Sequence, residues 1–325
     1  MSSQMRAQGG FSLIELSIAL AIGAMVVLMT VMLYGSGIKA MNAAENTAAM
    51  IDAQSAVMND IVVSMQRAGL GLNDLSGTQA LILSPAQVLP ASIADDMVTR
   101  TMPVPTQAVY QADQLTIRYI APMDLWDCEG EMALGPRRVR LSDGKMADVD
   151  GQVVIERYFI GLDGDGKMAL RCDATHYITD EIARDGTRDR RGLGAAFTNA
   201  IIDREVSSRD GASRSYQIKG FHENGAVLLS DVEGLWVRLL VQDRDMLRLM
   251  PIDAYHALTQ PLPIIGAKLA VLARAPFADE QPASDTINIM GQELTFDDGV
   301  MRRVFVSDVR FDNVADLSIG QVGAP

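Results

Sequence analysis

One carboxylate, Glu15, lies inside an otherwise uncharged apolar run from Phe11 to Tyr34, five residues after Gly10 of the pair Gly9-Gly10. A charge in the middle of a membrane span costs about 2.5–3.5 kcal/mol on insertion scales, less towards the edge, so such a residue is read as having an assigned partner. The other groups able to do chemistry are scattered. Cys128 and Cys172 form no CxxC pair, and His176, His222 and His256 stand far apart in the chain. HExxH, P-loop, GxGxxG and GxSxG patterns are all missing, so no motif supports an enzyme or asks for a cofactor. Asp163-Gly164-Asp165-Gly166 has the acid–glycine alternation that opens a calcium loop, with Asp163 and Asp165 as weak candidate ligands. The twelfth position of an EF-hand would fall on Ala174, which cannot ligate, and a glycine-rich hairpin turn is the better reading.

The elements that must position these residues follow from patterning. Phe11–Tyr34 is 24 residues, about 36 Å as a helix and enough to cross a hydrocarbon layer of about 30 Å. It is too long for the apolar part of a cleaved signal peptide, about 7–15 residues, although the small-x-small stretch Gly35-Ser36-Gly37 follows it. Those two glycines each weaken a helix by about 1 kcal/mol relative to alanine, so a kink or local melt is expected there. Helical spacing then resumes: Met50, Ala53, Val57, Ile61 and Met65 make an apolar stripe with Met58 and Val62 beside them, Asp52, Asn59, Asp60 and Ser64 fall largely off it, and Arg67 and Gly69 mark its end.

From Gly71 the pattern is that of strands and turns. Leu115–Tyr119 alternates, and Gln152–Ile160 with Lys167–Cys172 reads as a hairpin. Further strands are expected at Ala226–Leu229, Leu235–Val241, Met246–Met250, Lys268–Arg274 and Arg303–Val306. Residues 84–107, with four prolines, read as an irregular connection, and the arginine- and acid-rich residues 179–215 as a solvated insertion. The fold class expected is α+β, a long helix packed on a mostly antiparallel sheet. The chain has 325 residues and a net charge of −13. Only four Asp/Glu and three Lys/Arg lie in residues 1–68, so the acidity belongs to the body. Nucleic acid is therefore not an expected direct partner.

The order polar leader (MSSQMRAQGG), Gly10-Phe11, Ser12-Leu13-Ile14-Glu15, then an unbroken apolar helix, resembles the class III signal of type IV prepilins. In the body, Asp113–Tyr119 (DQLTIRY), Asp127–Gly130 (DCEG), Glu156–Phe159 (ERYF), Leu170–Cys172 (LRC), Leu229–Gly234 (LSDVEG) and Met301–Phe305 (MRRVF) are similar to PilW-type minor pilins. The similarity departs in the 179–215 insertion and in the stretch that follows Leu249.

The resemblance implies a pilin-like fold and cleavage by prepilin peptidase between Gly10 and Phe11, with methylation of the new amine on Phe11. It implies that Glu15, then the fifth residue, pairs with a neighbouring subunit's N-terminal amine and sets register, since an unpaired charge in a low-dielectric bundle is costly. The domains implied are a leader (1–10), a membrane and filament-core helix (11–34), its amphipathic continuation (35–69) and a β-rich body (70–325). The N-terminus would face the cytoplasm and the body the periplasm, where disulfides persist. A Cys128–Cys172 bridge is then expected rather than two free buried thiols. The function implied is that of a minor pilin that helps initiate, assemble or cap a type IV pilus, without cofactor. Its partners would be other minor pilins, the major pilin, prepilin peptidase and the inner membrane, before it joins the filament at the cell surface. The alternatives are a J-type pseudopilin of type II secretion and a pilus-tip adhesin or ligand-binding module.

Overall fold

A computed structural model describes residues 12–72, 77–88, 91–103, 111–140, 145–177, 201–206, 213–218, 221, 225–275 and 285–313. The chain divides into two compact units, Met1–Asp52 and Ala53–Pro325. The helix α1 (Leu13–Arg67) supplies all of the described first unit beyond Ser12 and the opening of the second.

In the first unit, Leu13–Met41 has a mean hydropathy of 2.6 over its most apolar window, none of it buried. At about 1.5 Å per residue this stretch is long enough to cross a membrane. It runs helical through Gly35-Ser36-Gly37, where a kink or melt was expected. Propagating an existing helix costs little per residue, and the Ser36 hydroxyl donates to Leu33 O at 2.9 Å. A Cβ at Gly35 or Gly37 would meet nothing within 4 Å, so no neighbour within the chain requires glycine there.

In the second unit the strands, in chain order, are β1 (Ala91–Ser92), β2 (Arg100–Pro103), β3 (Gln111–Ile120), β4 (Leu125–Trp126), β5 (Met132–Ala133), β6 (Arg137–Arg140), β7 (Met146–Val149), β8 (Val153–Leu162), β9 (Met168–Tyr177), β10 (Ile201–Val206), β11 (Ser213–Ile218), β12 (Ala226–Ser230), β13 (Val232–Asp243), β14 (Met246–Pro251), β15 (Ile264–Arg274), β16 (Asp285–Ile289), β17 (Gln292–Phe296) and β18 (Arg302–Arg310). A short helix α2 (Ile252–His256) follows β14. One antiparallel sheet runs β12-β9-β8-β3-β2 and another β14-β13-β15-β18. The sheets are joined by Asp113 of β3, which accepts the Val237 N–H of β13 at 2.7 Å and the Thr101 hydroxyl of β2 at 2.7 Å. The architecture is the α+β, mostly antiparallel arrangement expected, consistent with a pilin-like fold.

Parity along β8 explains why QVVIERYFI reads as nearly continuous apolar sequence: both faces are covered. Val154, Tyr158 and Ile160 join Leu115, Ile117 and Tyr119 of β3, Leu170 and Cys172 of β9, and Met58, Ile61 and Met65 of α1 in the main core. Val153 and Ile155 point the other way, into a second core with Ile82, Val88, Met97, Val98, Tyr177 and Phe221. The described part of the proline-rich residues 84–107 is thus more than a connection: Val88, Met97 and Val98 cover the far face of the sheet, and β2 pairs with β3 at its edge. Part of the 179–215 region is also structured. β10 pairs with β11, and β11 with β1, while residues 178–200 and 207–212 lie outside the described residues.

The buried helix face keeps Met58, Ile61 and Met65 of the expected stripe but is turned slightly, towards Gln54 and Ser64 and away from Ala53. Gln54, Met58, Ile61, Ser64, Met65 and Ala68 are buried, Val57 is half-buried and Ala53 is exposed. The side chain of Met50 lies outside the description. Ser64 lies inside because its hydroxyl has a buried partner, described below. Gly69 ends the helix as expected, at φ +82, donating its N–H to Arg118 O of β3 at 2.9 Å.

Candidate functional site in the N-terminal segment and its support in the body

The residues Ser12-Leu13-Ile14-Glu15 form a reciprocal cap at the start of α1. The Ser12 hydroxyl accepts the Ile14 N–H at 3.3 Å, and Glu15 Oε2 accepts the Ser12 N–H at 3.0 Å. This is a Ser-x-x-Glu cap related to the capping box, with the hydroxyl on the second helical N–H, and it satisfies donors that helix geometry leaves orphaned. Glu15 therefore has a partner within its own chain as well as the one implied by resemblance. The signal was legible as Ser and Glu three apart ahead of an apolar run. Gly10 and Phe11 lie outside the described residues. Behind the cap, Leu13, Ile14, Leu16, Ile18 and Leu20 are all more than half exposed. Apolar surface of this extent requires a cover of lipid or of other helices.

The body holds its end of α1 through a buried carboxyl. Glu156 of β8 is fully buried and accepts the Tyr119 hydroxyl at 3.1 Å and the Tyr158 hydroxyl at 2.8 Å. Ser64 of α1 is hydrogen-bonded to the same carboxyl. Burial pushes the Glu156 carboxyl above its ordinary range. The bonds from Tyr158, Ser64 and Tyr119 pull it back, and the nearby Asp127 adds to the rise. Burial likewise pushes both tyrosines up, helped by the neighbouring Glu156. Such a network fixes the rotation of the helix on the sheet, because turning Ser64 away would leave buried acceptors unmet.

Cys128 and Cys172 form a disulfide, with Cα atoms 6.1 Å apart. Cys172 is fully buried on β9, and the bridge ties the turn between β4 and β5 to the main core. Asp163 Oδ1 accepts the N–H groups of Asp165 and Lys167 at 3.0 and 2.9 Å, which closes the β8–β9 hairpin turn. Those bonds, the one to Lys167 first, hold its carboxyl below the usual range. Among the described residues no three His, Cys, Asp or Glu side chains group as a cation site. His176 lies 3.6 Å from Asp127 Oδ2, and His256 Nε2 lies 3.1 Å from Thr99 O. His222 is outside the described residues.

Residues 5–31 match the prokaryotic N-terminal methylation motif. That motif, overlapping the start of an apolar, membrane-capable helix, supports a type IV pilin-like protein, a processed precursor of the pilin or pseudopilin type. It implies cleavage by prepilin peptidase and assembly with other pilins, and the helix fits a membrane anchor. No curated protein and no solved structure matches the chain.

Proposed function

We propose that this chain is a minor pilin of PilW type that takes part in initiating, assembling or capping a type IV pilus. The observation that carries the reading is the methylation motif at residues 5–31, continuous with a helix whose apolar side chains from Leu13 to Met41 are uncovered. On this reading residues 1–10 are a leader removed before Phe11, and the span holds the protein in the inner membrane with its body in the periplasm. On assembly the span exchanges lipid for neighbouring helices, and the protein acts as a structural subunit, not a catalyst. The body segments similar to PilW-type pilins favour the pilus over a secretion system. They lie on β3, β8, β9, β13 and β18 and in the disulfide turn, where the core is built.

Glu15 has two roles here, and they separate experimentally. Glutamine at the same position keeps the cap, since Gln serves in capping boxes, but removes the charge. Glu15→Ala removes both. If Glu15 pairs with a neighbour's amine, both variants insert into the membrane and both fail to enter filaments. Normal incorporation of Glu15→Gln would show that the cap alone matters and would remove the register role.

A further inference from the structure

The stretch Ala121–Pro136 (APMDLWDCEGEMALGP) contains four acidic residues and no lysine or arginine. Its two short strands have two unlike faces. Leu125 pairs with Ala133 and Trp126 with Met132. Leu125 and Ala133 pack on the main core, whereas Trp126 is 64% exposed and Met132 42%. Met123, just before them, is 67% exposed. Directly paired residues on one face of an antiparallel ladder stand side by side, so the indole and the thioether present one apolar surface to solvent.

That surface is held on a rigid frame. The Asp127 carboxylate accepts the N–H groups of Glu129 and Glu131, each at 2.9 Å, and Glu129 Oε2 accepts the Ala174 N–H of β9 at 3.0 Å. The Cys128–Cys172 bridge fastens the same turn. Gly135 passes so close to Met123 that an added Cβ would lie 2.4 Å from the Met123 Cα, and its N–H donates to Asp124 at 2.9 Å. A tryptophan carried on a fixed backbone has only its two side-chain torsions to order on binding, and tryptophan is enriched among the residues that dominate interface energetics. Nothing in the folding of the body calls for an exposed Trp126, since the inward face of the ladder already supplies its core contacts.

We propose that Trp126 and Met132 are a docking surface for another protein, one that sets an apolar pocket beside lysine or arginine side chains. The charge around the patch selects this occupant. Asp124 and Glu131 are exposed beside the apolar pair and Glu129 is half-exposed; Arg137 pairs with Asp124 and Arg157 lies near Glu129, while Glu131 puts its charge at the solvent edge. An acidic rim repels anionic lipid headgroups and nucleic acid, and steers a basic surface in.

The test replaces Trp126 with photoreactive benzoylphenylalanine in the full-length protein in its own cells, with the same residue at exposed Asp150 as control, and maps the attachment site by mass spectrometry. The expected result is an adduct specific to position 126, on a protein segment that carries Lys or Arg next to aliphatic or aromatic residues. Its yield should fall roughly threefold with Glu131→Lys, the effect of reversing one rim charge. Adducts to lipid, attachment to acidic segments, a yield no higher than at Asp150, or indifference to Glu131→Lys would each overturn the proposal.

Discussion

Reduction of the Cys128–Cys172 bridge should lower the stability of the body by about 4 kcal/mol. The two cysteines are 44 positions apart. Closing a loop of that length removes about 13 cal/mol/K of entropy from the unfolded chain in the chain-entropy model, which is about 4 kcal/mol at room temperature. Cys172 is fully buried, so Cys128→Ala with Cys172→Ala should cost more than reduction, by about 1 kcal/mol of lost packing. Urea unfolding followed by tryptophan emission reads the change. Trp236 is 2% exposed in the core and reports unfolding, whereas Trp126 is 64% exposed and changes little. With a denaturant slope of about 3 kcal/mol/M, the midpoint should drop by about 1.3 M on reduction and by about 1.7 M in the double variant. A shift below about 0.3 M on reduction, together with two thiols already titratable in the untreated protein, would refute the reasoning.

Three further outcomes follow from the buried polar groups. The Glu156 carboxyl has its folded pKa raised above the ordinary 4.5, so the stability it contributes is complete below that value and lost as pH rises through the folded one. Glu156→Gln should therefore gain on the wild type as pH rises above 4.5, and a gap that stays constant or moves the other way would contradict the assignment. Ser64→Ala should destabilise the body by about 1–2 kcal/mol, measured by the same unfolding assay, because a buried acceptor loses its donor. Arg157 and Asp173 form a buried pair at 2.7 Å, so Asp173→Asn should cost about 3–5 kcal/mol. The pair Arg157→Met with Asp173→Leu should cost less than that single change, and equal costs would argue against an ion pair.

The long strands were legible because their periodicity is local. Leu115–Tyr119, the β8–β9 hairpin and the later apolar runs all appear as strands, extended by a few residues. The short ladders β4–β5 and β6–β7 were not, since two to four residues hold no period to detect and their pairing depends on the turn between them. The rotation of α1 was slightly misplaced for a different reason. Ser64 and Gln54 look like solvent-facing residues in a helical pattern, and Ser64 is buried only because Tyr119, Glu156 and Tyr158 lie across from it, far along the chain. Those partners were visible as an inward-facing series, Val154-Glu156-Tyr158, but nothing local says that a glutamate of that parity meets a helix serine. At the N-terminus, Ser12 and Glu15 form a sequence-readable cap beside the processing signal, and the structure adds the cap to what the signal implies for Glu15.

The account depends most on whether the first ten residues are removed. N-terminal mass analysis of the protein from cells with and without prepilin peptidase tests this directly. The mature chain should begin at Phe11 with one methyl group on its amine, and cells lacking the peptidase should retain the leader and Gly10. A start at Met1, or after Gly37, in cells that contain the peptidase would contradict the account.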